Sequence, residues 1–258
     1  MNKRLFLFCL FLTSLMIACS DDEPEWNAEE VCPEAGINIY GMPNRGTFTD
    51  ERDGQVYRYT TIGNQVWMAE NLRYDAPYSM CCNDIEYLKK YCELIEHSCE
   101  TTECCKKSMC NNFGRYYSLM QNGDRFGNIN LSIIDTICPK GWHVPTREEW
   151  NELKASMVVQ GESDFDAAIR MKSKDSNLFA ISKEYLNEYD RMYVGSDACA
   201  LMLEPSGYME SDGHFFKTGA HFVLLNNSNA YGVETVHIAS SIDFFSHGFR
   251  DAVRCVMD

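Results

Sequence analysis

Gln55-Val56-Tyr57-Arg58-Tyr59-Thr60-Thr61-Ile62-Gly63-Asn64-Gln65-Val66-Trp67-Met68-Ala69 is the stretch on which the fold turns. β-Branched and aromatic residues crowd both arms, and Gly63-Asn64 between them is a two-residue hairpin signal. Two antiparallel strands are expected. Upstream, Asp50-Glu51-Arg52-Asp53-Gly54 reads as a turn and Thr47-Phe48-Thr49 as a third short strand. The acids of that turn lack the spacing of an EF-hand loop, so a turn is preferred to a calcium site.

Helical signals come later. Thr146-Arg147-Glu148-Glu149 is a capping box, and Trp150, Leu153 and Met157 give the following helix one apolar stripe. A second short helix is expected from Asp164 to Lys172, through Phe165, Ile169 and Met171. From Ala198 on, glycine punctuates short apolar runs at Leu201-Met202-Leu203, Phe215-Phe216, His221 to Leu225, Val233 to Ile238 and Ala252 to Met257. These read as short strands joined by loops. The chain carries no internal repeat.

At the other end, Lys3 and Arg4 precede an apolar run from Leu5 to Leu15, then Met16-Ile17-Ala18-Cys19-Ser20. This resembles a bacterial lipoprotein leader: residues 1–18 are removed and a lipid is placed on Cys19. The run is about half the ~20 residues that span a bilayer, so a transmembrane helix is not expected. Ser20-Asp21-Asp22-Glu23 then reads either as a surface-export signal or as the start of a solvated acidic tether. Residues 19–45 are taken as that tether, long enough to hold a domain of residues 46–258 at most ~80 Å from the membrane.

The whole chain carries −15, and loss of Lys3 and Arg4 with the leader brings it to −17. Such a polyanion is repelled by phosphate backbones, which argues against nucleic acid as a partner. Of thirteen cysteines, Cys9 leaves with the leader and Cys19 carries lipid, leaving eleven for a disulfide framework with one thiol over. Seven of them lie between Cys81 and Cys110. There, Ile85, Leu88, Cys92, Ile95 and Cys99 recur at helical steps, with Asn83 or Asp84 as cap. Cys92 and Cys99 can then bridge to Cys104, Cys105 and Cys110 folding back. A zinc knot with His97 is the alternative, disfavoured because no paired CxxC spacing occurs and export favours oxidation.

Several segments together resemble the Fibrobacter succinogenes major paralogous domain family. They are Thr47-Phe48-Thr49-Asp50 with Asp53 to Tyr57, Ile62 to Leu72, Phe113-Gly114-Arg115-Tyr116-Tyr117, Cys138 to Thr146 through Trp150, Pro205-Ser206-Gly207-Tyr208, and Val253-Arg254-Cys255-Val256. Val144 to Trp150 and Arg254-Cys255 also resemble the formylglycine-generating-enzyme and C-type-lectin-like superfamily. That likeness implies a compact α+β, lectin-like domain of short antiparallel strands, few helices, many loops and disulfides, with the chain ends brought together. The family pattern implies a Cys138–Cys255 disulfide. It fits a last strand on which Val253, Cys255 and Met257 share one face. A bond from Cys81 or Cys82 to Cys110 would close the Cys-rich insertion at 81–110. Two departures stand out: that insertion is long, and Phe222-Val223-Leu224-Leu225-Asn226-Asn227 replaces a Trp-Ser-Ser segment common in the family.

Catalysis is not expected. There is no GxSxG elbow, no HExxH helix and no phosphate-binding glycine loop. The late cysteine pair used by formylglycine-generating enzymes has no counterpart, because only Cys199 and Cys255 are available. No cofactor and no metal is assigned. Glu204-Pro205-Ser206 departs from the Glu-Pro-Asn sugar loop of C-type lectins in its third residue. The remaining reading is a lipoprotein of the outer membrane, on its periplasmic or extracellular face. It would act as a binding module for glycans or other envelope ligands, or as a structural envelope protein. Tyr208, Phe215, Phe216, Tyr231, Phe244 and Phe245 are the aromatics that either stack on sugars or pack in the core.

Overall fold

The arms of the opening stretch form β2 (Val56–Ile62) and β3 (Gln65–Met68), with Ile62 facing Gln65 across Gly63-Asn64. Gly63 adopts a φ of +57°, which favours a residue without a side chain. In the computed structural model, residues 25–258 are described apart from 83, 85–87, 90–100, 121–129, 175–194, 205, 211–214, 217–218, 227–231, 239–240 and 247–249. The leader, Cys19, Cys92, His97 and Cys99 lie outside the described residues. β1 (Arg45–Thr49) pairs antiparallel with β2, from Arg45↔Thr60 to Thr49↔Val56. The turn between them is closed by Asp50, whose buried carboxylate takes the Arg52 guanidinium and amide. Burial alone would raise that carboxyl, but the Arg52 bonds outweigh it and hold it below its ordinary value.

Two further short strands complete this sheet. β13 (Val256–Met257) lies between β3 and β6 (Trp142–His143), giving the order β1-β2-β3-β13-β6. The end of the chain is thus stitched into its N-terminal hairpin. A second sheet has the order β11-β10-β9, with β9 at Ala220–Asn226, β10 at Gly232–Ile238 and β11 at Ile242–Ser246. The third runs β4 (Ser79–Met80), β5 (Tyr116–Tyr117), β12 (Arg250–Asp251), β7 (Tyr208–Met209), β8 (Phe215–Phe216). The helices whose bounds fall among the described residues are few: α1 (Ala28–Val31), α2 (Thr102–Phe113), α3 (Leu131–Ile137), α4 (Arg147–Ser156) and α5 (Asp164–Met171). The architecture is α+β, with antiparallel pairing in every sheet.

Alternation along the central segments distributes side chains between two cores. Trp67 points to one, with Trp150, Phe222, Leu224 and Val236, while Val66 and Met68 point to the other, with Tyr57, Tyr117 and Val223. The last segment obeys the same period: Ala252 and Val256 join the tryptophan core, and Val253, Cys255 and Met257 the second. A strand covered on both faces needs no polar side, which is why Phe222 to Leu225 reads as one unbroken apolar run. Ring centroids of Trp67 and Trp150 lie 4.8 Å apart, and those of Trp150 and Phe222 5.6 Å apart.

Arg254 interrupts the last segment between β12 and β13. It is fully buried and donates to the Asn71 side chain and to the carbonyls of Met68, Leu201 and Met202. Its guanidinium thereby ties the hairpin end, the 201–202 loop and the C-terminal segment at one point. For the same reason Leu201-Met202-Leu203 is not the strand expected there. Ala200 and Met202 have positive φ, and the carbonyls of Leu201 and Met202 turn to Arg254 rather than to a ladder.

The capping box forms as read: Thr146 Oγ1 takes the Glu149 amide, and the Glu149 carboxylate takes the Thr146 amide. Trp150, Leu153 and Met157 are buried behind it. In α5 the buried face is Ala167, Ala168 and Met171, with Phe165 and Ile169 only half-buried. α2 and α3 were not anticipated, although Cys105, Met109 and Phe113 bury one side of α2 at steps of four. Of the helix expected before α2, Leu88 is buried and its amide bonds the Asp84 carbonyl; most of the rest lies outside the described residues.

The tether boundary requires correction. From Trp26 on, the segment assigned to the tether belongs to the folded domain. The Trp26 indole donates to the Ser156 carbonyl and lies 4.5 Å from the Arg170 guanidinium. Cys32 is joined to Cys199, 167 residues away. Asn44 is buried and bonds the Ala35 carbonyl. Acids, prolines and glycines without a period conceal these anchors, because each depends on a partner far along the chain.

Disulfides also join Cys138 to Cys255 and Cys81 to Cys110, and Cys104 and Cys105 are bonded as well. The Cys82–Cys110 alternative is therefore set aside, and Cys82 is a free thiol buried beside Cys105, Met109 and Phe113. Burial pushes that thiol up to about 12, so it stays protonated and unreactive at neutral pH.

Candidate functional site

The face of β9–β10–β11 turned away from the tryptophan core carries a row of rings. His221 on β9 and His237 on β10 stand directly opposite one another in the antiparallel register. Their ring centroids are 4.5 Å apart. Phe245 on β11 is diagonal to His237 and 6.3 Å from it. Period-2 alternation dictates this, since Phe222, Val236, Ile238 and Ile242 on the same strands are consumed by the core.

The third sheet extends the row. Ser206-Gly207-Tyr208 turns against β9: the Ser206 hydroxyl bridges the amide and carbonyl of His221, and the Gly207 amide bonds the Gly219 carbonyl. Gly207 has a φ of +58°, and a Cβ there would sit 2.2 Å from the Phe216 carbonyl oxygen. Only glycine fits this close approach. It brings Tyr208 onto Phe216 as a cross-strand stack, centroids 5.0 Å apart and planes 10° off parallel, and tilts Tyr208 against His221 at 5.1 Å. The row runs Phe216, Tyr208, His221, His237, Phe245.

Its ends face water most, Tyr208 and His237 are half-buried, and His221 at the centre is buried. Phe216 is 40% exposed and Phe245 38%, against 3% for His221. Asp243, opposite His237 in the register, is exposed at the rim, where the Ser241 hydroxyl bonds its carboxylate. Flat apolar faces interspersed with imidazole, phenol and carboxylate groups match a ligand that carries both C–H faces and hydroxyls. Among the described residues no group of three or more His, Cys, Asp or Glu could hold a metal ion.

Of the aromatics named from sequence, Tyr208, Phe216 and Phe245 meet here. Phe215 turns inward to an edge contact with Tyr116, Phe244 packs on the tryptophan core under the Arg147 guanidinium, and Tyr231 lies outside the described residues. His221 and His237 were missed. Their signal was a single histidine alternating with apolar neighbours in each of two strands. Glu204 is nearly buried, and its charge favours the charged form of Arg254.

A second polar constellation is His143 with Glu149 and Asp258. The imidazole places Nε2 2.8 Å from Glu149 and Nδ1 2.7 Å from Asp258. The Glu149 hydrogen bond raises His143 above its ordinary value against the opposing effect of burial. Burial alone would raise Glu149, but its bonds to His143 and Thr146 hold it below. Both imidazole nitrogens are engaged by carboxylates, which leaves neither to act on a nucleophile. The cluster clamps the C-terminus to the capping box.

No described helix is long and apolar enough to cross a membrane. Residues 60–256, more than half of the chain, match the model of a family described as the Fibrobacter succinogenes major domain. No curated protein and no solved structure matches the chain.

Proposed function

We propose a binding role from the premise that this chain belongs to the Fibrobacter succinogenes major domain family. The protein is a non-catalytic module, lipid-anchored through Cys19 at the bacterial outer membrane, that takes glycans on the Phe216–Tyr208–His221–His237–Phe245 row. The observation that carries this reading is the exposure of Phe216 and Phe245 at the two ends of a row of rings in contact, held at its centre by the buried His221. Stacked, half-exposed rings are preorganised, so a sugar face meets them with little ordering cost. The polar groups between them supply direction. A lectin-like topology for the domain belongs to the same proposal, as does the absence of any nucleic-acid partner, which the net charge of −15 supports.

The test is retention of the detergent-purified full chain on a glycan array and on insoluble cellulose, beside a Phe216→Ala/Phe245→Ala variant. Retention of the wild type and its loss in the variant is the expected result. Equal retention of both would remove the row from the binding site. Retention of neither would favour an envelope protein whose role is structural.

A further inference from the structure

We infer that the turn at residues 36–43 is a second membrane contact, seating Ile37, Ile39 and Tyr40 in the interfacial layer of the bilayer that holds the anchor. This rests on the lipid-anchored reading above. Ile37 is 67% exposed, Ile39 68% and Tyr40 41%, the densest run of solvent-facing large apolar side chains among the described residues. Exposed singly they would need no explanation; three within four residues do.

The turn that carries them is tightly held. The Asn38 side chain accepts from the amides of Tyr40 and Met42 and donates to Thr61 Oγ1. The Asn38 amide bonds the Met42 carbonyl, the Gly41 amide bonds the Asn38 carbonyl, and Ile37 bridges Pro43. The amides of Asn38, Tyr40, Gly41 and Met42 are thus engaged within the protein, which lowers the cost of bringing the tip to an apolar layer. The apolar side chains are held outward before any contact is made.

Its position follows from the hairpin. Thr61, which holds Asn38, is two residues from Gly63. The Gly63 amide bonds the Val31 carbonyl, and a Cβ on Gly63 would lie 3.2 Å from the Ser156 hydroxyl. Ser156 is also the residue whose carbonyl receives the Trp26 indole. The turn and the start of the described chain therefore share one end of the β2–β3 hairpin. Six residue steps separate Cys19 from Glu25, a reach of at most about 20 Å. A lipid on Cys19 keeps this end of the domain against the bilayer. Glu29, Glu30 and Glu34 are exposed just ahead of the turn in the chain, and among the described residues only Glu34 of the three is ion-paired, to Arg45. The local charge is negative, so anionic headgroups would repel the turn and the contact is apolar in character.

The experiment uses the full lipidated chain in phosphatidylcholine vesicles that contain a trace of lipid with a diazirine in its upper acyl chain. After illumination, peptide mass mapping locates the adducts. They are expected to concentrate on residues 36–43 and to be lost in Ile39→Asp/Tyr40→Asp, with the Cys32–Cys199 disulfide still present in the non-reduced map. A lipidated chain with no adducts at 36–43, or with as many around Phe216 and Phe245, overturns the inference even if the variant does not fold. The mass of the N-terminal peptide reports the lipid on Cys19 separately. Its absence would sink the anchoring reading, and this inference with it.

Discussion

Ile37, Ile39 and Tyr40 stand on a turn tied together by one asparagine, whereas Phe216 and Phe245 end a row of rings that support one another. Both places show large apolar side chains to water, and the two are built on different plans. On the turn, two of the three side chains are aliphatic, and the charges nearest along the chain are the Glu34–Arg45 pair and the exposed Glu29 and Glu30. That surface offers volume without polar partners, which suits hydrocarbon. In the row, every contact places an imidazole or phenol beside a ring, which suits a ligand of mixed character. Exposure alone says little about a partner; the polar groups within reach of the exposed carbon say more.

Both surfaces hang on the same frame, so the largest effect comes from removing it. Arg254→Met would leave the Asn71 side chain and the carbonyls of Met68, Leu201 and Met202 buried without their donor. A loss of ~3–5 kcal/mol of unfolding free energy is expected in urea titration of the non-reduced protein. Binding and membrane contact should be lost together. A change below ~1 kcal/mol would show that the guanidinium is not what joins the two halves.

The next change separates the surfaces. Replacing Cys32 and Cys199 together by serine releases the segment that carries the turn, at an expected ~2–4 kcal/mol. Hydrogen exchange should then rise across residues 26–44 while β9 and β10 keep their protection. Uniform loss of protection would mean that the N-terminal segment and the ring row form one cooperative unit.

How far these features were readable depends on how far apart the responsible residues lie. The hairpin at Gly63-Asn64 and the capping box at Thr146 are local, and both could be read directly. β11 should have been read, because Ile242 and Phe244 alternate with Asp243 and Phe245. Anchoring by Cys32 and Trp26 could not, since Cys199 and Ser156 lie more than a hundred residues away. The break in the last strand hides in Arg254, a residue type whose full burial is rare without partners. Six aromatics were candidates for the surface, and only the pairing register decides that Phe216 and Phe245 face out while Phe215 and Phe244 face in.

A third change tests the row by itself. Phe216→Ala or Phe245→Ala removes a ring that is already more than a third exposed, so stability should move by less than ~1 kcal/mol. Affinity for a retained glycan should fall about tenfold for each, the equivalent of ~1.4 kcal/mol of stacking. Isothermal titration reads the affinity. If stability fell and affinity did not, the rings would be core residues with an exposed edge.

The smallest effect belongs to the clamp on the C-terminus, and it has a definite pH signature. His143 is raised in the folded protein above its ordinary 6.5, so its contribution is complete below that value and is lost as pH rises through the folded value. Glu149 is held below its ordinary 4.5, so its contribution is complete above that value and is lost as pH falls through the folded one. The charged pair thus contributes fully between about 4.5 and 6.5 and fades on both sides. Side-chain exposures of 36% and 25% let solvent screen the pair, which limits it to ~0.5 kcal/mol. His143→Gln can keep a hydrogen bond and cannot carry the charge. The difference in melting temperature between wild type and this variant should therefore be largest near pH 5.5 and shrink toward zero by pH 9. A difference that stays flat across that range would assign the role of His143 to packing and hydrogen bonding, with no share for its charge.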